Sequence, residues 1–272
     1  MSIRCRSILA VALMFCGAVA DGAVIDYVAQ TPIHRVIGYG NIRDSHGIAF
    51  VPGSLFGAGQ VDRLVLVNDS NFTNQRYISY WGIDEVVQDT LAVSEIQTIT
   101  AASGFAFASN QGVSFVDDPA NPHLLLASRV WGFYSMVATL DLDLDMTSYT
   151  SVRVNRSGGG DYARAVAWDP TRDDGVNRGF IYDGEQSGAK LTVTARYVGG
   201  YPPTGSEATT GYSDPAAITG VVTGRTWSAT TGSFFVAVGS VIHETDSAGA
   251  LIATTDIASS LPANHTISGL AN

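Results

Sequence analysis

Four times along the chain a small residue is followed by an apolar or long residue, a second small residue and an aromatic, and then by a polar turn. The four are Gly47-Ile48-Ala49-Phe50, Gly112-Val113-Ser114-Phe115, Ala165-Val166-Ala167-Trp168 and Gly224-Arg225-Thr226-Trp227. A fifth restart, Gly269-Leu270-Ala271-Asn272, stands at the end of the sequence, so the pattern recurs at gaps of about 45 to 65 residues. After each of the first four, further short apolar runs follow before the next restart. Arg63–Val67, Tyr77–Trp81 and Thr90–Ser94 follow the first, and His123–Ala127, Met136–Leu140 and Tyr149–Val154 the second. Gly179–Tyr182 and Leu191–Ala195 follow the third, ahead of a stretch rich in Gly, Pro, Ser and Thr from Gly199 to Pro215. Ser233–Val238, Val241–Glu244 and Leu251–Thr255 follow the fourth. These runs are rich in β-branched and aromatic residues and bounded by Gly, Asp, Asn and Ser, which predicts short antiparallel strands in four-stranded units. Beyond the first twenty residues no window holds a helical period.

The punctuation between runs sharpens this. Asp169-Pro-Thr-Arg-Asp173, Ala229-Thr-Thr-Gly-Ser-Phe-Phe-Val-Ala237 and Thr245-Asp-Ser-Ala-Gly-Ala-Leu251 carry the turn-then-strand and d-x-x-G-x-l patterns of repeated blades. On these residues the chain resembles the β-propeller superfamily, in particular the loosely repeating six-bladed type with NHL-like or gluconolactonase-like blades, from about Asp44 onwards. The resemblance implies an all-β fold of four-stranded antiparallel blades, four of them recognisable and a fifth partial. The fifth restart supplies only an inner strand, and two closures are open. The runs Ala23–Ala29 and His34–Gly38 supply its outer strands, or the sequence is part of a longer chain.

The first twenty residues, MSIRCRSILAVALMFCGAVA, place Arg4 and Arg6 ahead of the apolar run Ile8–Phe15 and end on Ala18-Val19-Ala20. This reads as a secretory signal peptide, leaving residues 21–272 as one propeller domain with no membrane span, destined for secretion, the periplasm or the cell envelope. Phe15 ahead of Cys16 argues against lipidation. Both cysteines, Cys5 and Cys16, fall inside this segment, so disulfides, a thiolate nucleophile and cysteine metal sites are excluded from the remainder. The formal net charge is −10, and losing Arg4 and Arg6 makes the body more acidic. Such a chain repels nucleic acid and anionic lipid. Lys190 is the one lysine, so Schiff-base chemistry would rest on it alone.

In a propeller the first strand of each blade lines the central channel. The residues preceding the restarts are His46, Gln111, Arg164, Thr223 and Ser268, with Asp44 two positions ahead of His46. Asp44, His46, Gln111 and Arg164 are therefore the candidate ligand site at the channel mouth, suited to a small polar or anionic ligand. Other candidate chemistry falls away. Asp141, Asp143 and Asp145 lack the glycine and distal glutamate of a calcium loop and read as one acidic face of a strand. His243-Glu244 does not continue into a zinc-protease helix motif, Ser213 lacks a nucleophile elbow, and Ser157-Gly-Gly-Gly160 lacks the Lys-Ser or Lys-Thr of a phosphate loop. Asn68, Asn71, Asn155 and Asn264 match the glycosylation pattern, which has meaning only in a host that uses it.

Two function classes remain. One is a binding or structural module presenting loops to a small molecule, a carbohydrate or an extracellular protein, without a cofactor. The other follows from the resemblance: a propeller hydrolase of lactones, esters or phosphate esters, holding calcium or another divalent ion. Those enzymes gather several oxygen ligands from different blades, whereas the aligned positions here offer one nearby acid, so the sequence favours the binding module.

Overall fold

The computed structural model describes residues 45–70, 75–87, 90–100, 109–130, 134–144, 150–155, 162–186, 189–201, 204–209, 214–261 and 266–271. The proposed signal peptide, Asp44, the runs Ala23–Ala29 and His34–Gly38, Ser157–Gly160 and Ser213 lie outside these residues.

Each of the first four restarts opens a four-stranded antiparallel sheet whose strands follow one another in sequence order. The first blade comprises β1 (Ser45–Val51), β2 (Arg63–Ser70), β3 (Gln75–Val87) and β4 (Thr90–Thr100). The second comprises β5 (Ser109–Val116), β6 (His123–Val130), β7 (Tyr134–Asp141) and β8 (Thr150–Asn155). The third comprises β9 (Tyr162–Trp168), β10 (Arg178–Gln186), β11 (Ala189–Val198) and β12 (Gly205–Thr209). The fourth comprises β13 (Gly224–Ser228), β14 (Ser233–Val238), β15 (Val241–Thr245) and β16 (Leu251–Asp256). The fold is a β-propeller.

Two local expectations change. The strand β12 lies inside the Gly/Pro/Ser/Thr-rich stretch, where sequence pattern showed none. It is the outermost strand of its blade, and its sequence GSEAT has no apolar alternation to read. Asp141 and Asp143 do not form an acidic strand face, and Asp145 lies outside the described residues. β7 ends at Asp141, whose carbonyl accepts from Leu144 N at 3.0 Å, so Leu142 and Asp143 form a turn. Leu144 takes a left-handed φ of 60° and is buried among the residues between the first two blades. Tucking that leucine into the core accounts for the strain of a non-glycine residue there.

The punctuation motifs do what their residue types suggest. Asp169 is fully buried and caps the turn Pro170–Arg172, accepting from Thr171 N at 3.1 Å and from the Thr171 hydroxyl at 2.6 Å. Asp246 accepts from Ala248 N and Ala250 N at 2.9 and 2.7 Å, while Gly249 takes φ +91°, which closes the β15–β16 hairpin.

The apolar core lies between blades. Ala49, Val65, Val67 and Tyr80 of the first pack on Val113, Leu124, Leu126 and Leu140 of the second. Leu125, Ala127 and Val137 meet Phe180, Tyr182 and Tyr197 of the third. Ala165, Ala167 and Ile181 meet Phe234 and Val236 of the fourth, and Phe235, Ala237 and Ile242 meet Ile267 and Leu270 of the fifth restart. At the centre the restart glycines explain themselves. A Cβ on Gly47 would lie 2.7 Å from Gly112 Cα, and one on Gly112 would lie 2.9 Å from Ala165 Cα. Gly224 stands in the same relation to Gly269, and Gly269 to Gly47 and Ile48. β9 and β13 are also in contact, so the described inner segments close a ring of five positions. The small residue of each restart exists because neighbouring backbones touch there.

Polar groups also bridge blades. Between the third and fourth, Arg225 is 2% exposed and grips Asp183 through Nε and a terminal nitrogen at 2.6 and 3.0 Å, with Asp214 at 2.7 Å. Lys190 reaches the other oxygen of Asp214 at 2.5 Å and the carbonyl of Ile218 at 3.1 Å. The lone lysine is thus an ion-pair partner.

Between the second and third blades His123 is fully buried. Its Nδ1 meets the Asn121 carbonyl at 2.7 Å, Nε2 meets the Tyr197 hydroxyl, and Tyr201 stacks on the ring at 4.3 Å between centroids. With Nδ1–H donating to the carbonyl, Nε2 is the acceptor for Tyr197, so a second proton would remove that acceptor. Burial pushes the imidazole below its ordinary value of 6.5, against the opposing pull of Asp118 and Asp141. The unfolded chain therefore binds more protons than the folded one below that pH, and stability contributed by neutral His123 is present above about pH 6.5 and lost as pH falls through the folded value. The expected result is a melting temperature level above about pH 7 that drops by a few degrees by pH 5. His123→Gln should flatten that slope, and scanning calorimetry across the range checks it. An unchanged slope would remove His123 from the account.

Candidate functional site

The ring has two ends of different chemistry. At the leading ends of the inner strands, the residue before each of the first three restarts is the extra residue of a β-bulge. Ser45 and Gly47 oppose Asn68 and Val67, leaving His46 unpaired, and Asn110 and Gly112 oppose Ser128 and Ala127, leaving Gln111 unpaired. Ala163 and Ala165 oppose Gly184 and Asp183, with Arg164 the extra residue of the bulge between them. In the fourth blade Thr223 N bonds to the Ala237 carbonyl at 2.9 Å although Gly224 already pairs with Ala237, and the Thr223 hydroxyl bonds to the Ile267 carbonyl at 2.6 Å. The register thus puts His46, Gln111 and Arg164 at equivalent positions of their inner strands. Bulges of this kind re-aim a side chain relative to the ladder. Asp44 and the side chains of His46 and Gln111 lie outside the described residues. Arg164 is half-buried and bonds Glu185 of its own blade at 3.2 Å, so a carboxylate already stands at the guanidinium expected to hold an anion. Immediately beneath, where all five inner segments meet, the space narrows to about 10 Å³, no more than about one water needs.

Beyond this neck the trailing ends of the inner strands open into a basin of about 180 Å³, room for roughly six waters. Its walls include Phe50, Phe115, Trp168 and Trp227, the aromatics that close the four restarts, together with Thr226 and Asp117. Each of the four rings is half-buried. Phe115 packs on the core between the first two blades, Trp168 on that between the second and third, and Trp227 on that between the third and fourth, edge-on to Phe234 at 4.7 Å. These three pack between blades on one side only. Small residues at the first and third restart positions let the strands touch at the neck, and strand twist then separates their trailing ends. The aromatic at position four is left bridging the core and the opening.

The polar groups of the basin are few. The Ser114 hydroxyl is taken by Trp168 N at 3.0 Å, tying the third blade to the second. The Trp168 indole N–H is buried and has no hydrogen-bond partner among the described residues, a cost that a phenylalanine in its place would not carry. Asp117 is the one charged residue of the described walls, and it is exposed. The repeated aromatics were visible in sequence, but the basin was missed because an aromatic on a strand reads equally well as core. Among the described residues no three His, Asp or Glu side chains gather as a metal ion would require. His243 and Glu244 lie on β15, bonded to Thr254 at 3.2 Å and Ser233 at 2.7 Å, and serve the blade.

No protein-family model matches the sequence, and no curated protein matches it. Among solved structures the chain is similar to the α-L-arabinofuranosidase Arb93A from Fusarium graminearum in complex with an iminosugar inhibitor, at 12% identity and a TM-score of 0.45, over 84% of this chain and 68% of that one.

Proposed function

We propose that this propeller is an exported binding module and that its ligand, a small molecule, occupies the aromatic basin at the trailing end of the ring. One observation carries the reading: four blades each deliver the same aromatic restart residue to a single concave space, with a handful of polar groups among them. Concave, mainly apolar sites with sparse polar groups are where small ligands bind. At the mouth, by contrast, Arg164 is engaged with Glu185, and the neck separates the two ends.

The test is a small-molecule screen by saturation-transfer NMR, followed by titration of intrinsic tryptophan fluorescence, since Trp168 and Trp227 form the wall. Binders are expected to quench that fluorescence. Trp168→Leu is expected to weaken them at least tenfold, as removing a buried aromatic anchor does, while Arg164→Ala leaves them unchanged. Binders lost in Arg164→Ala and retained in Trp168→Leu would return the site to the mouth, with Asp44, His46 and Gln111 beside Arg164.

A further inference from the structure

Resting on that reading of the basin, we infer that its ligand class is a small organic cation, an alkylated ammonium group seated among the four rings with Asp117 as counter-charge. The basin admits few alternatives. An anion would meet the Asp117 carboxylate without any cationic residue in the described walls to hold it. A bare divalent ion wants six to eight oxygen ligands, and the walls supply one carboxylate and the hydroxyls of Thr226 and Ser114, the latter already engaged by Trp168 N. A sugar ring would bring several hydroxyls into a space that answers few of them, and unpaired buried hydroxyls are costly.

An alkylated ammonium asks for none of those partners. It has no hydrogen-bond donor when fully substituted, its positive charge is attracted to the faces of Trp, Phe and Tyr rings, and the attraction grows once water is excluded. The basin offers two Trp and two Phe from four different blades, and its 180 Å³ suits a head group of five or so heavy atoms with a short tail. The charge of the whole chain, −10, works in the same direction by raising the local concentration of cations. Asp117 follows β5 at the rim, exposed, where a carboxylate stays hydrated until a cation arrives.

Choline and tetramethylammonium, titrated by calorimetry into the full chain, separate charge from shape when compared with 3,3-dimethylbutan-1-ol, the uncharged isostere of choline. Both cations are expected to bind, with the isostere about tenfold or more weaker. Asp117→Asn, a surface change expected to leave the melting temperature unaltered, should weaken choline several-fold and leave the isostere where it was. Trp168→Leu should weaken all three. Equal binding of choline and the isostere would overturn the cation class while leaving the basin as an apolar site. Preference for methyl glucosides, binding sensitive to Trp168→Leu but with no response to either cation, would likewise overturn it. Absence of any Trp168-dependent binder in the broader screen is a different result, and removes the basin reading itself.

Discussion

Arg225→Ala is expected to destabilise the protein by about 3–5 kcal/mol, the range for removing one partner from a buried ion pair, and so to lower the melting temperature by on the order of 10 °C. The reason is charge arithmetic in a closed space. Arg225 and Lys190 face Asp183 and Asp214, two positive against two negative, with the Thr192 hydroxyl bonding both carboxylates at 2.9 and 3.3 Å. Burial alone would raise the Asp214 carboxyl, but the charges of Arg225 and Lys190 outweigh it and hold it below its ordinary value. Deleting the guanidinium leaves Asp183, 1% exposed, without its main partner in a site water does not reach. Arg225→Met with Asp183→Leu removes one charge of each sign and leaves Lys190 with Asp214. That double variant is expected to be more stable than Arg225→Ala, because what costs most is the orphaned charge rather than the missing bridge. Chemical denaturation of the two variants checks this, and a double variant no better than Arg225→Ala would show that the network acts through packing alone.

Arg225 also shows how legibility divided along the chain. In sequence it is the long basic residue of the fourth restart, where Ile48, Val113 and Val166 stand in the others. Its partners, Asp183, Asp214 and Lys190, are distant in sequence on β10, the loop after β12, and β11, and no local pattern announces such a meeting. The strands themselves were readable wherever one face is buried, since burial writes an apolar period into the residues. β12 was not, because its sequence GSEAT carries no apolar alternation. The restart glycines were visible as a repeat, yet their cause became legible only when each was seen against the backbone of the next blade. The candidate site divided similarly. Polar residues ahead of the restarts pointed to a mouth, and the bulges put His46, Gln111 and Arg164 at equivalent positions of their strands. The aromatics after the restarts read in sequence only as strand residues, because sequence cannot say that twist leaves one side of each ring against open space.

Gly47→Ala and Gly112→Ala are each expected to cost about 1–3 kcal/mol, the range for forcing extra carbon into a tightly packed place, although each adds a single methyl group. On Gly47 the new Cβ would lie 2.7 Å from Gly112 Cα and 2.8 Å from Val113 N, and on Gly112 it would lie 2.9 Å from Ala165 Cα and 3.0 Å from Val166 N. These neighbours are backbone atoms of paired strands, so no side chain can rotate aside, and relief requires whole blades to move apart. Gly205→Ala is the control. Among the described residues its Cβ, on the outermost strand of a blade, would meet only Val198 Cγ2, at 3.1 Å, and a small shift of that side chain suffices. Its melting temperature should stay within a degree or two of the parent. Because both neck variants press on β5, their effects are not expected to add independently. They should also reach the basin, since Ile48 and Val113 line both the neck and the wall beneath the aromatic rings. Spreading the strands at Gly47 and Gly112 displaces Phe50 and Phe115 outward, and ligand affinity in the basin should fall with stability. Melting curves that place Gly47→Ala and Gly112→Ala alongside Gly205→Ala would mean that the inner segments do not close backbone against backbone.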